Sequence, residues 1–464
     1  MFKNVLSVAM PIIIGCVFSL FIEMLNLMYA GRMGDPALVA AVGLGNMYAN
    51  VTCLLILYGM NGAIATLCSQ AYGSGNMRKV GVYLNKGRIC ACLIFIPIFA
   101  VMFLCERFLL VLGIDSETAH QAQNYTYGMI VALFFSTQFD ATRNYLNAVQ
   151  KSQVITYISI GASIIHVFVL YIMIDTLQMG IIGASIGTII TYSMNSVIVT
   201  IYCMMQEDLK ESFFFPDREC FENLWEYLKI GVPSAMIISF EYWSFEVQAI
   251  YASYISVVAV GSMVILLNAL TVVMMIPVGF QIAATVFVGK SMGEGDHKKA
   301  IKYQILVNSL NFVVLIFICI ICIINSKGVA SIFTNQQDLL NTVSDNMKYC
   351  ILFLFIHGIV NVLLGSLKGI GKQALGSALI LLGFYVIGNP ASLLLCFYFD
   401  FGMGGLFLGF CCGSVTIGVL ILIVIFKFTN WRQMAIDIKY QMRDNQTVYK
   451  EQVENEDIKM KLIT

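Results

Sequence analysis

Residues 240–246 read FEYWSFE and set two carboxylates, Glu241 and Glu246, among aromatics in a stretch otherwise fit for lipid or a protein core. A carboxylate at the centre of a bilayer costs roughly 2.5–3.5 kcal/mol on insertion scales, so it must face a bundle interior or a watery cavity. Desolvation disfavours the charged form of such a group. It can therefore take a proton on one side of a membrane and lose it on the other. The two glutamates are five apart, about 140° around a helix, so they cannot share one face. Glu241 lies on a stripe with Ser234 and Gln248, which reads as a polar, cavity-lining face. For Glu246, with Tyr242 and Trp243 one turn back, a cavity role and a hydrogen bond to a neighbouring helix both stay open.

Few other side chains in apolar stretches can hold charge. Asp140 has Arg143 at i+3, a spacing that pairs them on a helix, and a structural ion pair is expected. Glu23 sits three residues before Asn26 on one face, as a secondary proton site or a packing group. His357 could titrate near neutral pH, or be satisfied by a neighbour; His166 is expected to be structural. Cys319 and Cys322 form a CxxC in IFICIICII, with no histidine or carboxylate nearby. They read as small apolar filler, and no metal site or cofactor is expected. GSGN at 73–76 lacks the Lys-Ser/Thr of a phosphate-binding loop. Nothing in this set makes an enzyme.

These residues must be held by membrane helices. Of the 464 residues, 59% are hydrophobic and only 12% charged, against roughly 25% charged in an average soluble protein. Formal net charge is zero, which removes any electrostatic case for nucleic acid. Apolar runs near the length of about 20 residues that spans a bilayer recur along the chain. They place twelve spans near 5–30, 38–66, 89–112, 125–148, 153–175, 180–204, 229–252, 256–288, 301–325, 348–367, 374–397 and 403–427. The first is expected to serve as its own insertion signal. On this layout only Arg32, Arg107, Lys327 and Lys348, of 27 Lys and Arg, fall on the side away from the termini. The positive-inside rule then puts both termini in the cytosol.

The chain is built twice. Pro11 and Pro233 are 222 residues apart, GSGNMRKV (73–80) matches GEGDHKKA (293–300) at 220, and Leu146 and Lys151 match Leu367 and Lys372 at 221. Gly180, Gly183 and Gly187 match Gly402, Gly405 and Gly409 at 222. The fold class is therefore an all-α polytopic membrane protein, with twelve transmembrane helices in two parallel six-helix repeats forming an N-lobe and a C-lobe. The expected divisions are 1–205 (N-lobe), 206–228 (cytosolic linker), 229–429 (C-lobe) and 430–464 (a charged, disordered cytosolic tail). Repeats of this kind build alternating-access transporters, with the site near midplane. Pro277 and Gly279, mid-span in MIPVGFQ, suggest a hinge.

Four stretches carry a resemblance: GMNGAIATLCSQAYGSGN (59–76), PSAMIISFEYWSFE (233–246), IPVGFQIAATVFVGKSMGEGD (276–296) and LKGIGKQALGSALILLGFYVIGNP (367–390), with RNYLNAVQ (143–150) weaker. Over about residues 5 to 430 the chain resembles eukaryotic members of the multidrug and toxic compound extrusion (MATE) family. The resemblance implies an antiporter that expels small organic solutes, often cations, in exchange for protons or sodium. It implies that Glu241 is the central proton site and that Glu246 belongs to the same motif. Asn268 matches a polar position, and Tyr385 a tyrosine near the same cavity. Where plant-type members have an aspartate in the tenth helix this chain has His357, and where the bacterial pattern has one in the first helix it has Asn26. The second departure makes sodium coupling less expected than a proton gradient.

The candidate proton-coupling set is Glu241, Glu246, His357 and Glu23. The candidate substrate set is Glu241, Tyr242, Gln248, Asn268, Asn361 and Tyr385. Two alternatives share the fold: a sodium-coupled exporter, and a flippase for lipid-linked sugars. The flippase would want buried mid-span arginines for a pyrophosphate, and none lies mid-span. The protein is expected to work as a monomer in the plasma membrane or a vacuole-like organelle. A sequon at Asn124 is in keeping with a secretory-route membrane.

Overall fold

In the computed structural model, which describes residues 1–32, 36–334 and 336–443, twelve long helices run up and down in sequence. They are α1 (Phe2–Arg32), α2 (Ala37–Gly73), α3 (Met77–Met102), α4 (Ser116–Ala148), α5 (Ser152–Thr176), α6 (Gly180–Met205), α7 (Leu224–Ser253), α8 (Val257–Glu294), α9 (His297–Ile324), α10 (Gln337–Gly369), α11 (Gln373–Tyr398) and α12 (Gly402–Phe428). Ten are long and apolar enough to cross a membrane by length and composition alone. The other two, α4 and α7, are more polar because they carry Asp140 with Arg143 and Glu241 with Glu246. Asp140 and Glu241 turn into the bundle, where neighbouring helices satisfy them.

The duplication is legible in the backbone. Left-handed residues recur in pairs: Gly75 with Gly295, Gln150 with Gly371, Gln178 with Asp400, and Gly180 with Gly402. The caps recur too: Asn76 accepts from the Lys79 amide, and Asp296 from the Lys299 amide, each at 2.9 Å. A short polar side chain that satisfies an orphan amide stops the chain from fraying at the same place in each repeat.

The lobes meet along α1, α2, α7 and α8, by contacts that are themselves paired. A Cβ on Gly59 would lie 2.3 Å from the Ala235 Cα, and one on Gly279 would lie 2.3 Å from a side-chain carbon of Ile13. Gly73 abuts the Lys290 carbonyl oxygen (2.0 Å from such a Cβ), and Gly293 abuts that of Gln70 (1.9 Å). Only glycine lets the backbones cross this closely. Hydrogen bonds add to the seam. Thr66 donates to the Lys368 carbonyl at 3.0 Å, Gln70 to that of Gly369 at 2.9 Å, and Gln373 to the Thr66 hydroxyl at 2.9 Å. All of these lie toward the end from which α1 enters, here the proximal end.

Several expectations are revised. The third span, expected at 89–112, is Met77–Met102, and the chain breaks at Phe103–Leu104 before a short helix, Cys105–Val111. The charged 77–88 segment is helical because Val80, Tyr83, Leu84 and even Lys86 are buried against the bundle. The tail, expected to be disordered from 430, begins with a helix, α13 (Trp431–Met442), whose Trp431, Ala435, Ile438 and Met442 form one buried stripe. That i, i+4, i+7, i+11 spacing is amphipathic and was masked by the charges between. Residues 444–464 lie outside the described residues. The Asn124 sequon sits inside α4 with Thr126 fully buried, an unsuitable glycan acceptor, since these need surface loops. At the expected hinge, Gly279 contacts Ile13 and α8 is continuous through Pro277 in this conformation.

Candidate functional site

Glu241, on the middle of α7, points into the C-lobe. Its Oε1 lies 2.9 Å from Nε2 of His357 on α10, and the imidazole is fully buried. The other ring nitrogen, Nδ1, is 3.2 Å from the Ser414 hydroxyl of α12. Phe353 stacks on the imidazole with ring centroids 5.1 Å apart and planes 9° apart, and Phe384 closes another side at 5.5 Å. Three helices and an aromatic wall thus fix one carboxylate–imidazole pair in a nearly dry pocket. The low local dielectric strengthens that pairing. With Nε2 protonated, the ring donates to Glu241 and its Nδ1 accepts from Ser414. With both nitrogens protonated, the same serine oxygen accepts. The hydroxyl serves either state, because it is both donor and acceptor. Lys368, buried near the proximal end of α10, lies within electrostatic range of Glu241.

The polar core around the pair continues through amides. Gln248 is buried and donates to Asn389 and to Ser392, both at 3.0 Å, and Gln281 donates to Asn361 at 2.6 Å. Tyr385 donates to the Phe240 carbonyl at 3.3 Å. It sits in a π-helical turn of α11, Leu382–Gly388, an irregularity that often marks functional sites. The stripe of Glu241 and Gln248 therefore lines the C-lobe interior.

A second group faces the space between the lobes. The α7 face that is buried against α2 at Tyr227, Gly231 and Ala235 emerges, two turns on, at exposed Tyr242 and Glu246. Glu246 is exposed and forms no hydrogen bond with the described residues. On α8, Asn268 stands eleven residues before Gly279, hence on the face that meets α1, and it is exposed. Glu23 of α1, half-buried, pairs with Asn50 of α2 and lies within electrostatic range of Tyr242 across the gap. The lobes are thus joined proximally and parted distally, and the distal cleft has acidic walls.

The N-lobe holds its own polar cores. Asn26 donates to Thr188 at 2.9 Å and its oxygen lies 3.1 Å from Nε2 of His166, whose Nδ1 is 2.8 Å from Thr191. His166 is fully buried, with a partner at each ring nitrogen. Asp140 is buried, ion-paired with Arg143, and accepts from Asn61 at 2.9 Å. Cys319 and Cys322 are free thiols. Sequence reasoning missed Ser414 and the Asn61–Asp140 bond. An isolated serine in an apolar helix was the only signal for the first.

A family model described as MatE matches the chain twice, over residues 11–172 and 233–394. The chain belongs to the MatE family. The two matches are separated by the same 222 residues that relate Gly180 to Gly402. Multidrug and toxin extrusion protein 2 of Mus musculus is 28% identical over 433 residues, 92% of this chain and 74% of that protein. Protein DETOXIFICATION 9 of Arabidopsis thaliana is 26% identical over 444 residues, 95% of this chain and 92% of that one. In fold, this MatE protein is similar to the eukaryotic MATE transporter AtDTX14, with a TM-score of 0.90 at 23% identity over 95% of this chain and 98% of that one. It is also similar to a multidrug resistance MATE transporter in an outward-facing conformation, with a TM-score of 0.83 at 16% identity over 94% of this chain and 96% of that one. The MatE protein is a multi-pass membrane transporter of the secondary type and not an enzyme.

Proposed function

We propose that this transporter exports organic cations in exchange for protons, with Glu241 and His357 together as the coupling site. The observation that carries the reading is the 2.9 Å contact between the Glu241 carboxylate and the buried His357 imidazole. A histidine partner favours a proton over sodium, since hard cations seek oxygen ligands while an imidazole nitrogen accepts a proton. The acidic cleft at Tyr242, Glu246, Asn268 and Glu23 supports a cationic solute, which an aromatic face can also hold by cation–π attraction.

In this reading the proximal end is cytosolic, consistent with the excess of Lys and Arg there, and the described conformation is open to the opposite side. A proton reaches the pair from that side, changes the hydrogen bonding of His357, and lowers the affinity of the C-lobe for a cation, which leaves through the cleft. The lobes then rock, the proximal seam opens, the proton departs to the cytosol, and a new cation binds. Proton and cation exclude each other because both need the negative charge of Glu241. The cleft lies between two lobes of one chain, so a monomer suffices.

The test is uptake of a labelled quaternary ammonium probe into proteoliposomes of the purified protein under an imposed pH gradient. The reading expects concentrative uptake driven by the proton gradient and indifferent to sodium. Uptake driven by sodium alone, or none for a panel of cations, would refute it.

A further inference from the structure

The α13 helix touches both lobes. Its buried stripe packs on α8 and α9 of the C-lobe, and the Lys439 side chain lies against Gly295 in the loop between them. The Trp431 indole donates to the Ile425 carbonyl at 2.9 Å, which fixes the start of the helix to the end of α12. Its far end leaves the C-lobe. A helix C-terminus carries orphan carbonyls and a partial negative charge, and here the partners come from the N-lobe. Lys79 donates to the Gln441 carbonyl at 2.5 Å, and Asn76 to that of Met442 at 3.2 Å, with Ser74 at 3.4 Å. Those donors flank the turn after Gly73, the glycine pressed against Lys290 at the seam.

We infer that α13 is a latch, a C-lobe helix whose C-terminus holds the α2–α3 turn of the N-lobe and so stabilises the proximally closed conformation. The inference rests on the alternating-access reading above, because opening the seam must draw the α2–α3 turn away from Gly293 and Gly295. The bonds at Gln441 and Met442 then break. The backbone acceptors stay on the C-lobe and the side-chain donors on the N-lobe, so the latch releases without unfolding α13. It adds an energy term to one conformation alone, and only such a differential term shifts a two-state equilibrium.

The experiment is a distance measurement by double electron–electron resonance on the full-length protein. Spin labels go on Met205→Cys and Lys298→Cys, at the proximal ends of α6 and α9, with the exposed Cys92 and Cys412 replaced by serine. The latch variant is Asn76→Asp with Lys79→Met; aspartate keeps the helix cap and removes the amide donor. The expected result is a longer-distance population enriched on the order of tenfold, the weight of one charge-assisted hydrogen bond, while Arg432→Ala on the exposed face of α13 changes nothing. Distributions unchanged in the latch variant overturn the inference. As a second arm, an oxidised Asn76→Cys/Met442→Cys cross-link is expected to stop transport, reversibly on reduction; full transport in the cross-linked protein overturns it equally. Failure of the antiport reading would show in the flux of the wild type and would leave the distances untouched.

Discussion

Glu241 and His357 stand 116 residues apart in the chain and 2.9 Å apart in the fold, carboxylate to imidazole, inside one lobe of the transporter. Replacing His357 by glutamine preserves a donor of similar reach and removes the imidazole as a proton acceptor. His357→Gln is expected to slow gradient-driven cation flux at least tenfold. Initial rates under an imposed pH gradient read the effect, and an unaltered rate would remove His357 from the coupling.

Glu246 is exposed on the cleft wall and does not touch the pair. Glu246→Gln is expected to raise KM for cations by up to about fivefold, the range for an exposed charge, with the maximal gradient-driven rate kept. Competition kinetics with a neutral solute, which should be unaffected, make the check.

The seam should be intolerant of added atoms. In Gly293→Ala a methyl group would meet the Gln70 carbonyl oxygen at 1.9 Å, and overpacking of this kind costs about 1–3 kcal/mol. Its pseudo-equivalent, Gly73→Ala, faces Lys290 and should behave alike. Both are expected to disfavour proximal closure, measurable as longer distances between labels on the proximal ends of α6 and α9.

Asp140 gives the contrast with Glu241. It too is a buried carboxylate, but it is tied to Arg143 and Asn61. Asp140→Asn would leave the part-buried Arg143 guanidinium without its carboxylate, a loss of up to about 3 kcal/mol. Thermal unfolding in detergent should show the lower midpoint, while the folded fraction should couple protons as the wild type does.

The sequence carried the fold well, for physical reasons that stop short of the site. Apolar runs and the imbalance of Lys and Arg expose twelve spans, and the glycines that recur at 220–222 residues do so because each permits the same backbone crossing or turn. The third span was misplaced because Met77–Arg88 reads as polar, although the bundle buries two thirds of it. Glu241 stood out as a carboxylate among aromatics. Its partner did not, because no local spacing joins α7 to α10. The 3.6-residue period shows that Glu241 and Glu246 lie on different faces, but which face meets the cleft depends on how α7 packs against α2. That is why Gln248 and Asn361 are buried and hydrogen-bonded inside the C-lobe, whereas Tyr242 and Asn268 are exposed.

The most direct test of the coupling follows protons rather than solute. Proteoliposomes loaded with a pH-sensitive dye would receive a quaternary ammonium probe, wild type beside Glu241→Gln at equal reconstitution. The account predicts that the probe drives proton movement in the wild type and none in Glu241→Gln. Proton movement of equal size in both would contradict it and send the coupling to another group.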